Sequence, residues 1–175
     1  MKPTFLPLDF DRVSPRTSER RSHRLLQTML KRRTVRTFSD QPVPRNVIKN
    51  CLQIAGSAPS GANMQPWKFV VISKTALRTK LKREAEKEEK AFYKNRASTE
   101  WLHALGPLGT DWHKPFLLEA PYLIAIFAEN FGLRANGDRV KHYYVQESVG
   151  IATGFLIAAL HQAGLATLTH TPSPM

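Results

Sequence analysis

A chain of 175 residues, 42% apolar and 23% charged, is long enough for one domain with a real core and ordinary for a globular protein. No apolar run approaches the ~20 residues that span a bilayer. Cys51 is the only cysteine, which excludes an internal disulfide framework and a cysteine-rich zinc site. The net charge of +12 is uneven, because ten Lys or Arg against three acids place +7 of it within residues 1–36. That arm is open to three readings: a solvated surface, a site for anionic groups, or a basic nucleic-acid-binding segment. It lacks the interleaved aromatics on which single strands usually stack.

Residues 1–16 form an N-terminal lead, extended and Pro-punctuated up to Val13, whose Pro and Asp residues make a poor signal peptide. "SPRTSERRSHRLLQTMLKRR" is helical, with a narrow stripe of Leu25, Leu26, Met29 and Leu30 and basic residues at its C-terminal end. "TVRTF" is a short β-prone run. Pro44 opens a second helix whose apolar face includes Val47, Ile48, Cys51, Leu52 and Ala55, and Gly56 closes it. Cys51 on that face reads as a small buried hydrophobe rather than a nucleophile. After the uncharged loop "SAPSGANMQPW", the run "KFVVIS" is a strand. "KTALRTKLKREAEKEEKAFYKNRAS" is a long charged helix with few apolar positions, solvated or mobile until something packs on it.

"PYLIAIFAEN" follows Pro121 as an apolar run suited to a central strand. "HYYVQESVGIATGFLIAALHQAG" is apolar nearly all round and predicts a buried helix, with "LATLTHT" as a third strand. This order indicates an α/β (α+β) sandwich, a central sheet flanked by helices, in one domain over residues 1–175. Only "PSPM" follows the last strand, so the domain is expected to be incomplete at its C-terminus.

The chain has no P-loop, no dinucleotide fingerprint, no serine-hydrolase elbow and no metal-ligand spacing among its six His. Three features remain. Arg32, Arg33 and Arg36 in "RRTVR" are either a solvated cluster or guanidinium forks for phosphate. "PSGAN" is either an ordinary turn or a neutral edge for a flat heterocycle, with Gly61 permitting close backbone approach. Glu89 and Tyr93, at i and i+4, share one helix face, which is either solvated or built for a ligand.

Taken together, "KRRTVRTFSDQPVP", "AGSAPSGANMQPWKFVVIS", "EEKAFYKNR", "TDWHKP", "APYLIAIF", "HYYVQESVGIA" and "GLATLTHTP" resemble the nitroreductase superfamily of flavoproteins, and within it the iodotyrosine deiodinase-like branch. The match runs from Phe5 to the end of the chain. The resemblance implies a nitroreductase-like sandwich that binds FMN in an intertwined homodimer. It assigns Arg32, Arg33, Thr34, Val35 and Arg36 to the flavin phosphate and pyrimidine side. Pro59, Ser60 and Gly61 lie against the ring system, with Ser60 coming from the partner subunit. Thr169, His170 and Thr171 follow the other edge, and the catalytic role falls to the Thr171 hydroxyl near N5, where it favours one-electron transfer.

Glu89, Tyr93 and Lys114 match the lid residues that hold an amino-acid substrate, and the Ala62 N–H meets its phenolate oxygen. The implied activity is reductive dehalogenation of halotyrosines, with NAD(P)H or a separate reductase as donor; the cysteine usage points to a reducing, cytoplasmic compartment, and no metal, membrane or nucleic-acid partner is expected. The "N-x-Q-P-W" pattern at Asn63–Trp67 keeps a general NAD(P)H-dependent nitroreductase of nitroaromatics or quinones open. The family pattern continues past Met175 with a further Arg and a C-terminal arm, so weak FMN binding or an inactive product is also an expectation.

Overall fold

Ser14 starts the first helix by accepting a hydrogen bond on its side-chain oxygen from the Thr17 N–H at 3.3 Å, with Pro15 beside it at the first turn. This helix, α1 (Pro15–Met29), has no buried residue, and Leu25, Leu26 and Leu30 are half-exposed or more. It ends four residues before Arg33, where the Lys31 and Arg32 N–H groups tighten the last turn onto Thr28 and Met29 carbonyls. The computed structural model describes residues 5–171. Its contacts separate the segment up to Arg32 from a second unit that starts at Arg33.

The second unit contains α2 (Arg45–Gly56), a 3₁₀ turn (Gly61–Asn63), β1 (Trp67–Ile72), α3 (Thr75–Asn95) and α4 (Thr99–Leu105). Another 3₁₀ turn (Gly106–Leu108), α5 (Phe116–Glu119), β2 (Leu123–Ala128), β3 (Phe131–Leu133), β4 (Arg139–Lys141) and α6 (Val145–Gln162) complete it. The core forms where Ile48, Cys51 and Ala55 of α2 meet Leu156, Ala159 and Leu160 of α6. Alanines at this seam leave room for the two helices to approach closely. Burial pushes the Cys51 thiol up from its ordinary value, so it packs as a hydrophobe and is a poor nucleophile. β1 and β2 pair antiparallel from Trp67–Ala128 to Ile72–Leu123 and lay Phe69, Ile124 and Ile126 on the same core.

The observed sheet differs from the expected one in three places. Among the described residues β2 pairs only with β1, so its apolar run reflects packing against helices rather than a central position in a sheet. "TVRTF" and "LATLTHT" are not full strands. They meet at a single parallel bridge, Thr34 with Thr167, where the Val35 N–H donates to the Thr167 carbonyl at 3.2 Å. A one-pair ladder cannot propagate, whatever the β-propensity of its residues. The β3–β4 hairpin was not expected, although Asn136–Gly137 between two short β-prone runs is a known turn signal. Gly137 supplies φ of +86° there.

α3 spans the charged segment as predicted, yet it is not wholly solvated: Arg78 and Glu89 are buried on it. Arg78 donates through Nε to the Leu117 carbonyl at 3.0 Å and through Nη2 to the Leu118 and Ala120 carbonyls, clamping α3 onto the C-terminal end of α5. A guanidinium suits this job because its fork is rigid and always charged. Replacing it with Met leaves those carbonyls buried without donors. Arg78→Met is therefore expected to lower the unfolding free energy by about 3 kcal/mol, measured by urea denaturation. No helix among the described residues is long and apolar enough to cross a membrane.

Candidate functional site

The neutral loop after α2 is held from two sides. Ser60 Oγ accepts the Gln65 N–H at 2.9 Å, and the Gly61 N–H donates to Ser148 Oγ at 3.2 Å. Ser148, buried near the start of α6, donates in turn to the Tyr144 carbonyl at 2.6 Å. Three non-glycine residues in the loop, Ala62, Asn63 and Gln65, adopt φ near +50°. Each costs about 1 kcal/mol or more, and such strain clusters at ligand sites. At Gly61 no side chain fits, because an added Cβ lies 2.8 Å from the Tyr143 carbonyl and 2.9 Å from Tyr144 Cδ2. The loop thus sits pressed against the N-terminus of α6. No sequence reading placed Ser148 or the two tyrosines against this loop, from which they lie more than 80 residues downstream.

The bridge between Thr34 and Thr167 sets a second part of the site. It runs Arg33, Thr34, Val35 and Arg36 alongside the segment that leads to Thr169, His170 and Thr171. Two groups of candidate residues, far apart in sequence, become neighbouring stretches of backbone. Thr169 and Thr171 are exposed, and His170 is half-buried. Arg32 belongs to the first unit, where its N–H closes the turn after α1.

The third part surrounds Glu89, which is 7% exposed and lies one turn before Tyr93 on α3. Lys114, 4% exposed, places Nζ 3.3 Å from Glu89 Oε2. The ammonium also donates to the Asp111 carbonyl and lies 5.8 Å from the centre of the Tyr93 ring. Lys114 is positioned by its own backbone, whose N–H donates to Glu86 Oε1 at 2.8 Å. Burial pushes the Glu86 carboxyl up, but hydrogen bonds from Lys82 and the Lys114 N–H outweigh it and hold the group below its usual range. Burial first, and then the Glu89 and Asp111 charges, push the Tyr93 phenol up against its bond to Thr110, so it remains a neutral donor at ordinary pH.

The structure therefore brings Glu89, Tyr93 and Lys114 together, and the solvated reading of that helix face fails at Glu89. It also adds His170, whose Nε2 lies 3.2 Å from Glu89 Oε1 while its ring meets the edge of Phe116 at 5.6 Å. No motif indicated that contact. Pro59, Ser60, Gly61 and Ala62 lie on the separate loop at α6, and Ser148 is the residue that fixes them there.

The pattern of the nitroreductase family matches residues 29–171. The chain belongs to that family. Among relatives, this nitroreductase-family chain is 52% identical over 174 residues to the iodotyrosine deiodinase of Haliscomenobacter hydrossis, covering 99% of the chain and 78% of the relative. It is 43% identical to the iodotyrosine deiodinase of Hydra vulgaris, over 98% of the chain and 63% of that protein. Against human iodotyrosine deiodinase 1 the figures are 41%, 95% and 58%. The chain thus spans between about three-fifths and about four-fifths of the lengths of these relatives.

Among solved structures, oxidized iodotyrosine deiodinase bound to FMN and 3-iodo-L-tyrosine matches with a TM-score of 0.75 and 36% identity, over 85% of this chain and 75% of that one. A Bacteroides fragilis nitroreductase with bound FMN matches with a TM-score of 0.56 at 19% identity, over 81% and 66%, a likeness of fold alone.

Proposed function

We propose that this nitroreductase-family protein is an FMN-dependent oxidoreductase that removes halogen reductively from halotyrosines. The observation that carries the reading is the buried pair Glu89 and Lys114, opposite charges 3.3 Å apart beside Tyr93. Burying two ions is costly unless they serve each other or a ligand. An α-amino acid presents one ammonium and one carboxylate, so Glu89 suits the first and Lys114 the second. The Tyr93 hydroxyl adds a neutral donor, and the Ala62 N–H on the strained loop suits the phenolate oxygen of the ligand.

The residues present fit FMN. Arg33 and Arg36 flank Thr34, which is bridged to Thr167 two residues before Thr169, and offer forks for a phosphate; the loop at Pro59, Ser60 and Gly61 offers an uncharged surface for a flat ring. Thr34 and Val35 lie between the two arginines, while Arg32 is assigned to the phosphate on resemblance alone. Bound FMN supplies the reducing electrons. In the net reaction the carbon–halogen bond breaks, halide leaves, and two electrons and one proton arrive at the ring carbon. With FMN bound, Thr171 would be the residue to offer its hydroxyl to the cofactor. The site's charges orient the amino acid, and the neutral loop keeps competing charge away from the stacked ring.

The proposal extends to one nitroreductase-like domain that acts as a homodimer with Ser60 shared across subunits. It also includes NAD(P)H or a separate reductase as donor and a reducing cytoplasmic setting in which Cys51 stays a thiol. The test is spectroscopic. Purified protein supplied with FMN should keep a visible flavin band through gel filtration, and 3-iodotyrosine should quench its fluorescence saturably. Loss of the band, or a band indifferent to iodotyrosine, would count against the reading.

A further inference from the structure

Both oxygens of Glu89 are engaged before any ligand arrives: Oε2 by Lys114 Nζ at 3.3 Å and Oε1 by His170 Nε2 at 3.2 Å. Lys114 is the partner for the ligand's carboxylate. His170 therefore occupies the face of Glu89 that an ammonium needs, and it does so with the same kind of N–H donor. Resting on the halotyrosine reading, we propose that His170 is an internal competitor for the substrate ammonium, displaced from Glu89 when an α-amino acid binds.

The consequence is a dependence on proton concentration that is specific to the amino group. An imidazole that gains a proton becomes a cation and holds a carboxylate harder, and imidazoles as a class titrate between about pH 5 and 8. Acidification then favours the His170–Glu89 pair and opposes the ligand. Other charged groups around the pair do not reproduce this. On α3, Glu86 is committed to Lys82 and the Lys114 N–H, and Tyr93 donates toward Thr110. On the loop after the second 3₁₀ turn, Lys114 is already counted. Asp111 and His113 face each other at 3.0 Å, and His113 stacks on Trp112. From α5 the contact on His170 is the apolar edge of Phe116. His113 is the nearby imidazole that is directed at Asp111 instead, so it is the natural control.

The experiment is calorimetric binding to flavin-loaded protein at about pH 6 and about pH 7.5, with two ligands. One is 3-iodotyrosine; the other is its desamino analogue, 3-(3-iodo-4-hydroxyphenyl)propionate, which keeps the phenol and carboxylate but has no ammonium. Once corrected for the ionisation of the ligand's own phenol, iodotyrosine should bind several-fold more weakly at the lower pH to the unaltered protein. That difference should vanish in His170→Asn, persist in His113→Asn, and be absent for the analogue in every variant.

An effect of His170 on the cofactor would move both ligands alike. If His170→Asn folds poorly, His170→Gln keeps an amide donor that cannot titrate and should likewise bind iodotyrosine independently of pH. A pH dependence of iodotyrosine binding that, after correction for phenol ionisation, survives both substitutions overturns the proposal and leaves the halotyrosine reading intact. Failure of 3-iodotyrosine to bind the unaltered protein removes the halotyrosine reading, and the proposal with it.

Discussion

Glu89→Gln is expected to weaken 3-iodotyrosine binding on the order of a hundredfold, with the fold preserved. The substitution is nearly isosteric, so the packing around α3 stays. What changes is the charge opposite two cations, the ligand's ammonium and Lys114 Nζ, in a site where water cannot replace it. An amide oxygen still accepts a hydrogen bond, but the Coulomb attraction is gone. Lys114 is then left as a buried ion without its counter-charge, which adds to the loss. Calorimetric titration of the flavin-loaded variant measures the effect. The size of the change also separates two activities. A general nitroreductase has no ammonium to hold, so its turnover of a nitroaromatic should be indifferent to this residue.

Gly61→Ala is expected to lower stability by about 2 kcal/mol and to release flavin on gel filtration. The added methyl meets the Tyr143 carbonyl and Tyr144, and neither gives way easily. Tyr143 contributes backbone. Tyr144 caps α6 with φ of +52° and passes its carbonyl to Ser148, the same hydroxyl that accepts the Gly61 N–H. Relief therefore comes from moving the loop, which carries Pro59, Ser60 and Ala62 with it. Thermal unfolding and the visible band of the eluted protein read the two effects separately. A variant with full stability and full flavin content would show that the loop has no part in the cofactor site.

Much of this arrangement was legible because it is local. Helical spacing located α2, a long charged stretch α3 and a continuous apolar one α6, and apolar runs located β1 and β2 close to their observed bounds. The i, i+4 relation of Glu89 and Tyr93 places both on one face of any helix, while Lys114 came from the family resemblance, with its charge of the right sign. Other features depend on tertiary context. "TVRTF" and "LATLTHT" have the β-branched composition of strands, yet a strand exists only with a partner, and theirs is a single bridge. Arg78 looks like one more surface cation until α5 presents its carbonyls. Ser148 is an ordinary helix serine until the Gly61 loop docks on it. The contact of His170 with Glu89 spans 81 positions, which no spacing rule reaches.

The measurement that bears most directly on the proposed chemistry is anaerobic turnover of 3-iodotyrosine by the flavin-loaded protein with dithionite as reductant. The account predicts tyrosine and iodide in equal amounts, catalytic in protein and lost with Glu89→Gln. Intact iodotyrosine in a sample that still reduces a nitroaromatic would contradict it.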